Sequence, residues 1–259
     1  GWLTNSSRWR VFATRLPVRR GQSRKAATRP LIDQRDKEHM TATASFTPPS
    51  PNCGKCPRLH RFRDRYRDSH PHWHNAPVDA VGPLSARLLI VGLAPGLKGA
   101  NATGRPFTGD SAGGYLYQML GRFGLATGTY DGHAGDGVIL NNVHITNAVR
   151  CVPPQNRPTA AEATSCRPFL AREIVAMTNL QTILALGKLA HDAVLRCFDC
   201  RLATYPFAHQ SNHLITDRYR LISSYHCSRY NTQTGRLTDR MFTSVFKDIA
   251  RAMGAQQKG

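Results

Sequence analysis

A short apolar run, Leu88–Val91, breaks into a loop that carries Gly92, Gly96, Gly99, Gly104 and Gly109 with Pro95 and Pro106. The loop closes on Asp110, just ahead of an amphipathic stretch, Tyr115–Phe123. The apolar run reads as a buried strand and the amphipathic stretch as a helix. A glycine-rich loop leaving such a strand is where open α/β sheets place their ligand crevice. This loop also holds Phe107, which can face a planar ring, and Asp110, which can act on one.

The same alternation continues along the chain. Strands are expected over Arg87–Val91, Val143–Ala148, Thr182–Leu186 and Tyr219–Ser224, and helices over Ser111–Phe123, Thr159–Met177, Lys188–Cys197 and Thr238–Met253. Thr159 with Glu162 three residues on forms a capping-box start. Strands alternating with helices predict an α/β fold, three layers α/β/α around a central four-stranded parallel sheet. Its strand ends should share one edge. Residues 50–259 form the expected domain. Residues 1–39 read as a disordered basic extension or translated upstream sequence, and the Thr/Ser/Pro-rich Thr41–Pro51 as a linker. Arg58–Asp68 is highly charged but places Leu59, Phe62 and Tyr66 at helical spacing, and His70–Pro83 reads as loop.

Charge narrows the class of partner. The net charge is +19, from 35 Lys/Arg against 16 Asp/Glu. Only ten of those basic and three of those acidic residues precede residue 50, so the expected domain is itself basic. That excess favours a phosphate backbone as partner. No apolar run approaches the length of a membrane span. Seven cysteines without a secretory signal point to metal chemistry more than to disulfides.

Two familiar phosphate-binding readings of the opening loop fail. Gly99 to Gly104 has P-loop spacing, but Arg105-Pro106 follows where Gly-Lys-Ser/Thr is required, and no G-x-G-x-x-G follows the strand. Two further polar loops leave strand ends. In VHITNAVRCVPP, Asn147 offers a donor and an acceptor suited to a pyrimidine edge, and an Asn closing a turn is the equal alternative. In SSYHCSRYNTQTGRLT, His226 lies just past the last strand, followed by Arg229, Tyr230, Asn231 and Arg236. The cysteines leave alternatives open. Cys53-x-x-Cys56 and Cys197-x-x-Cys200 together would read as zinc, while four thiolates drawn from the set would serve an iron–sulfur cluster. The His70, His72, His74 run reads as a surface loop.

Together these blocks resemble the uracil-DNA glycosylase superfamily, most closely its family 5, the B-type iron–sulfur enzymes of bacteria and archaea. The resemblance runs from about Cys53 to Phe246. GLAPG at Gly92–Gly96 with NATGRPFTGD at Asn101–Asp110 resembles motif 1 and its extension. TNAVRCVPPQNRP at Thr146–Pro158 resembles the Asn-containing block, and SYHCSRYNTQTGRLT at Ser224–Thr238 resembles motif 2. The resemblance implies a [4Fe-4S] cluster on Cys53, Cys56, Cys151 and Cys166, leaving out Cys197, Cys200 and Cys227. It implies a monomeric cytoplasmic enzyme that acts on DNA containing deaminated bases. Two departures stand out: Leu93-Ala94 occupies a position where many relatives carry an acid or amide, which shifts the carboxylate duty toward Asp110. His226-Cys227-Ser228 lacks the proline common in motif 2.

The expected chemistry is hydrolysis of the N-glycosidic bond of uracil, with hypoxanthine or other altered bases as further candidates. Phe107 would stack on a flipped base above a floor formed by Gly92, Leu93, Ala94 and Pro95. Asn147 would bond the base edge, Asp110 would stabilise the sugar cation, orient the water, or both, and His226 would donate to the leaving base. Arg229, Tyr230 and Arg236 would contact DNA. A non-catalytic, metal-containing nucleic-acid-binding module is the alternative of a different class.

Overall fold

The computed structural model describes residues 46–255. The expected extension up to residue 45 lies outside the described residues. Helix α1, Pro57–Ser69, starts with Pro at its first position and buries Leu59 and Arg63, one turn apart on one face. Strand β1, Leu88–Gly92, is buried at every residue, as an interior parallel strand must be. A single turn of helix, α2 (Ala100–Thr103), interrupts the glycine-rich loop. Helix α3, Ser111–Arg122, is capped by Asp110. A two-stranded ribbon of β2 (Ala126–Thr127) and β3 (Ile139–Leu140) precedes β4, Val143–Asn147. Helix α4, Ala160–Ala176, starts with the expected Thr159/Glu162 capping box. Strand β5, Thr182–Leu186, leads into α5, Lys188–Cys197. Strands β6 (Asn212–Leu214) and β7 (Arg220–Ser224), the short α6 (Arg229–Gln233) and α7 (Asp239–Ala255) complete the order.

The main sheet runs β4-β1-β5-β7-β6. Its first four strands are mutually parallel and are the four read from the sequence. The fifth is an addition to the expected four-stranded sheet: β6 lies antiparallel on β7, with His213 opposite Leu221. It satisfies the edge of β7, which would otherwise present a row of unpaired backbone groups. Its own sequence, Asn-His-Leu, is short and partly exposed, so it carries no apolar run to announce it.

Alternation along each strand builds the three layers. Leu89 and Val91 face Leu170, Ile174, Ala190 and Val194 of α4 and α5. Leu88 and Ile90 face Leu116, Leu120, Phe242 and Phe246 of α3 and α7. A smaller core joins Leu59 of α1 to Val149 and Cys151, with Cys56, Ala94 and Ala163 against it. Because the four strands are parallel, Gly92, Asn147, Leu186 and Ser224 all end at one edge, and the loops that leave it hold the candidate residues.

A buried charge network locks β4 to α4. Arg150 is bonded to Glu173, and His144 bridges the Gly82 carbonyl at 2.8 Å and Glu173 at 3.2 Å. Burial works against the Glu173 carboxylate, but Arg150 and His144 hold its pKa below the ordinary value. Glu173→Gln would leave the Arg150 guanidinium, 1% exposed, without its counter-charge. Chemical denaturation of that variant should show a loss of about 3 kcal/mol; an unchanged midpoint would show that the network adds nothing to the fold.

Candidate active site

Three loops from the carboxyl edge of the sheet meet in one small pocket. Ala94, Pro95, Gly96, Ala100, Phe107, Asp110, Ala112, Asn147 and His226 line it. Phe107, Asp110, Asn147, His226, Ala94 and Pro95 are legible in the sequence from their loops, whereas Ala100 and Ala112 carry no chemical signal, and Gly92, expected in the floor, is not among the lining residues.

Gly92 and Asn147 are register partners at the ends of β1 and β4. A Cβ on Gly92 would overlap Asn147 Oδ1 and lie 2.7 Å from Phe107 Cζ. Gly92 therefore lets the amide and the ring close over the strand end. Leu93, expected in the pocket floor, is not among the lining residues. Its carbonyl accepts the Val149 N–H at 3.1 Å, prolonging the pairing of β1 with β4 past the strand proper. It contributes backbone, and the floor's side chains are Ala94 and Pro95.

Asp110 has a structural duty as well as a place in the pocket. Its Oδ1 accepts the Gly113 N–H at 2.9 Å and caps α3. Its Oδ2 points toward Gly96 and Gly99, where a Cβ would stand 3.3 and 3.1 Å away. One oxygen is thus held by the helix terminus and the other faces the loop. Burial raises the Asp110 pKa above its ordinary value, against the Gly113 and Ala112 N–H groups, which pull it down.

His226 follows β7 and is set by its neighbours in the chain. Asn231 Nδ2 donates to its carbonyl at 2.8 Å, from a helix, α6, that Ser228 caps. Cys227 fills the place of the proline common in motif 2, and its thiol donates to the Ala112 carbonyl at 3.6 Å, tying this loop to the helix that Asp110 caps. Burial lowers the His226 pKa to about 4, so the imidazole is neutral near pH 7. Its ring faces Phe107, with centroids 6.0 Å apart and planes 20° apart. Another ring sandwiched between them would need ~7 Å, two carbon–carbon contacts of ~3.5 Å. A planar ligand must therefore take the Phe107 face and meet His226 at its edge, or part the two rings.

The residues expected to touch a polyanion lie at the rim. Tyr230 is 70% exposed on α6 beside the exposed Arg229. Arg236 is exposed, with its guanidinium 4.7 Å from the Tyr225 ring centroid.

The cysteines sort themselves by location. Cys53, Cys56, Cys151 and Cys166 line one cavity where α1, the loop after β4 and α4 meet. Cys197 is wholly buried in the core against the sheet, so the two Cys-x-x-Cys pairs do not form one site. Arg63, missed in the sequence because it sits in a charged run, is fully buried beside the first set. It donates to Cys151 Sγ and, at 2.9 Å, to the Cys53 carbonyl. The Arg150 N–H donates to Cys166 Sγ at 3.3 Å.

This arrangement can hold a planar base against Phe107, bond its edge through Asn147 and His226, and offer a carboxylate beside it. Comparison with known proteins shows the family. A model of the uracil DNA glycosylase superfamily matches residues 80–250. A type-5 uracil-DNA glycosylase of Thermus thermophilus is 40% identical over 208 residues, covering 78% of this chain and 94% of that protein. The type-5 enzyme of Pyrobaculum aerophilum is 38% identical, covering 78% and 90%. A type-4 uracil-DNA glycosylase of Archaeoglobus fulgidus is 32% identical over 154 residues, covering 59% of this chain and 63% of its own length. The chain belongs to the uracil-DNA glycosylase superfamily, on its type-5 branch.

Proposed function

We propose that this chain hydrolyses the N-glycosidic bond of uracil in DNA and leaves an abasic site. The observation that carries the reading is the convergence of Phe107, Asp110, Asn147 and His226, from three separate loops, on one pocket. A base inside a duplex is out of reach, so the nucleotide must flip into the pocket. Phe107 takes the face of the base and Asn147 its edge. Water oxygen bonds to C1′ as the C1′–N1 bond breaks, and the electron pair leaves with the base. Asp110 stabilises the positive charge growing on the sugar, orients the water and accepts its proton. The neutral His226 donates a hydrogen bond to the base oxygen on which negative charge accumulates. Preorganised groups of this kind act where charge develops, in a site that excludes water. Arg229 and Arg236 contact phosphate, and Tyr230 enters the space the base vacates.

Ala94, Ala100 and Ala112 add only small side chains to the pocket wall beside Phe107, Asp110, Asn147 and His226, which favours hypoxanthine and other altered bases as further substrates. A monomer working in the cytoplasm of a bacterium or archaeon belongs to the same proposal. A non-catalytic binding module gains no support, since binding alone gives no reason to converge a carboxylate and an imidazole on the base pocket.

The same reading includes a [4Fe-4S] cluster on Cys53, Cys56, Cys151 and Cys166. Burial pushes the Cys151 thiol up to about 12 and the Cys166 thiol up to about 11, so without a metal both are neutral. Arg63 would then be a buried cation with no carboxylate partner among the described residues, and its Nε is buried without a hydrogen-bond partner. Metal binding deprotonates the thiols and supplies the missing negative charge. No three His, Cys, Asp or Glu side chains among the described residues close around a single ion. The four thiols line one cavity and match in number the thiolates that a [4Fe-4S] cluster takes. When bound, the cluster supplies a cross-link between α1, the loop after β4 and α4.

Asp110→Ala and His226→Ala should each lower excision from a uracil-containing duplex tenfold or more, a barrier change of ~1.4 kcal/mol. Full activity in both would overturn the assignment, and a panel of bases in single- and double-stranded DNA defines the range. With His226 neutral down to about pH 4, kcat should stay level through the neutral range and fall on the acid side as Asp110 takes up a proton. A limb near ~6.5 that vanishes in His226→Ala would contradict the neutral donor. Purified anaerobically, the protein should be brown and contain about four irons and four sulfides per chain. A colourless, iron-free protein that excises uracil at full rate would refute the cluster.

A further inference from the structure

Three consecutive carbonyls in the loop before Asp110 each accept a side-chain hydroxyl. The Arg105 carbonyl accepts from Thr108 Oγ1 at 2.6 Å, the Pro106 carbonyl from Tyr117 OH at 3.4 Å, and the Phe107 carbonyl from Tyr130 OH at 3.1 Å. The last of these residues is backbone-strained: Phe107 has φ +56°, in the left-handed region that a bulky side chain avoids. Such a conformation persists only where the surroundings over-determine it.

The surroundings do so from behind the pocket. A Cβ on Gly113 would overlap the Phe107 carbonyl and the Tyr130 hydroxyl, so α3 can close on this bond only with glycine there. The Tyr117 and Tyr130 rings stack at 4.7 Å, 15° from parallel. The Arg105 guanidinium lies 4.9 Å from the first ring centroid and 5.8 Å from the second. Arg105 is also bonded through two nitrogens to both oxygens of Asp136, each at 2.7 Å. Asp136 accepts the Asp131 and Val138 N–H groups at 3.2 and 3.1 Å, which folds the 131–138 segment onto the stack. Burial pushes the Tyr130 hydroxyl up to about 12, so it remains a donor at every working pH. None of Arg105, Tyr117, Tyr130 and Asp136 lines the pocket; Phe107 alone does.

We propose that Tyr130, anchored through the Arg105–Asp136 pair, is a positioning residue that holds the Phe107 ring in the orientation that stacks on the flipped base. The segment between β2 and β3 thereby acts on the base pocket without touching the substrate. This rests on the reading of Phe107 as the stacking wall.

Free uracil, tested as a competitive inhibitor of excision, reports on the base pocket alone, and affinity for an undamaged duplex reports on the DNA surface. Tyr130→Phe keeps the ring stack and removes only the hydroxyl. It should weaken uracil inhibition about fivefold, the loss of one neutral hydrogen bond, and leave duplex affinity unchanged. Phe107→Ala should weaken it tenfold or more, and adding Tyr130→Phe to Phe107→Ala should weaken it no further. Asp136→Asn, of equal volume, should act in the same direction by less. An unchanged inhibition constant in Tyr130→Phe, an equal loss of duplex affinity, or a full additional effect in the double variant would each overturn the positioning role. An unchanged constant in Phe107→Ala would instead overturn the stacking reading beneath it.

Discussion

The parallel pairing of β1 with β4 is the constraint on which the site depends. Its register sets Gly92 beside Asn147 and turns both chain exits toward the same edge. Parallel strands cannot be joined by tight turns, so each exit must travel through a loop and a helix before the chain returns. Those loops are where Phe107, Asp110, Asn147 and His226 reside. The register also explains why position 92 is glycine without any appeal to a turn: its φ is ordinary, and what it lacks is the Cβ that would collide with the amide and the ring.

Helix α3 couples this edge to the rest of the loop. Asp110 caps it with one oxygen, Gly113 lets it close on the Phe107 carbonyl, and the Ala112 carbonyl receives the Cys227 thiol. The first turn of one helix thus fixes the Asp110 carboxylate, the Phe107 backbone and the histidine loop together. The missing motif-2 proline is understandable in these terms. A proline would stiffen the loop through its own φ; the buried thiol ties the loop to a second element.

The parts of the molecule that could be read from sequence are those whose burial is written in apolar runs. LLIVG and TILAL are continuous because both faces of an interior parallel strand are covered. Asp110 stood out as the sole carboxylate in a glycine-rich loop, and Thr159 with Glu162 as a helix start. What stayed hidden lacks such a signature. The edge strand β6 is three mixed residues. The helix α6 hides in a polar stretch, although Ser228 followed by Asn231 was its cap. Arg63 looks like a solvated arginine among four others in α1, and only the cavity shows that its charge is enclosed. Tyr130 comes from a glycine-rich segment with no periodicity, and its role exists only through a backbone carbonyl. Leu93 was assigned to the pocket by its place in a motif, whereas its contribution is the strand pairing its backbone prolongs.

Charge separates the surface from the pocket. Outside, an excess of arginine and lysine meets a phosphate backbone alike at every step, and salt weakens that attraction. Inside, the proposed chemistry asks the histidine to donate a hydrogen bond without being a cation. Burial holds the His226 pKa at about 4 and raises that of Asp110 above its ordinary value. In the proposed mechanism each group answers charge only as the breaking bond creates it: positive on the sugar toward the carboxylate, negative on the base toward the imidazole N–H.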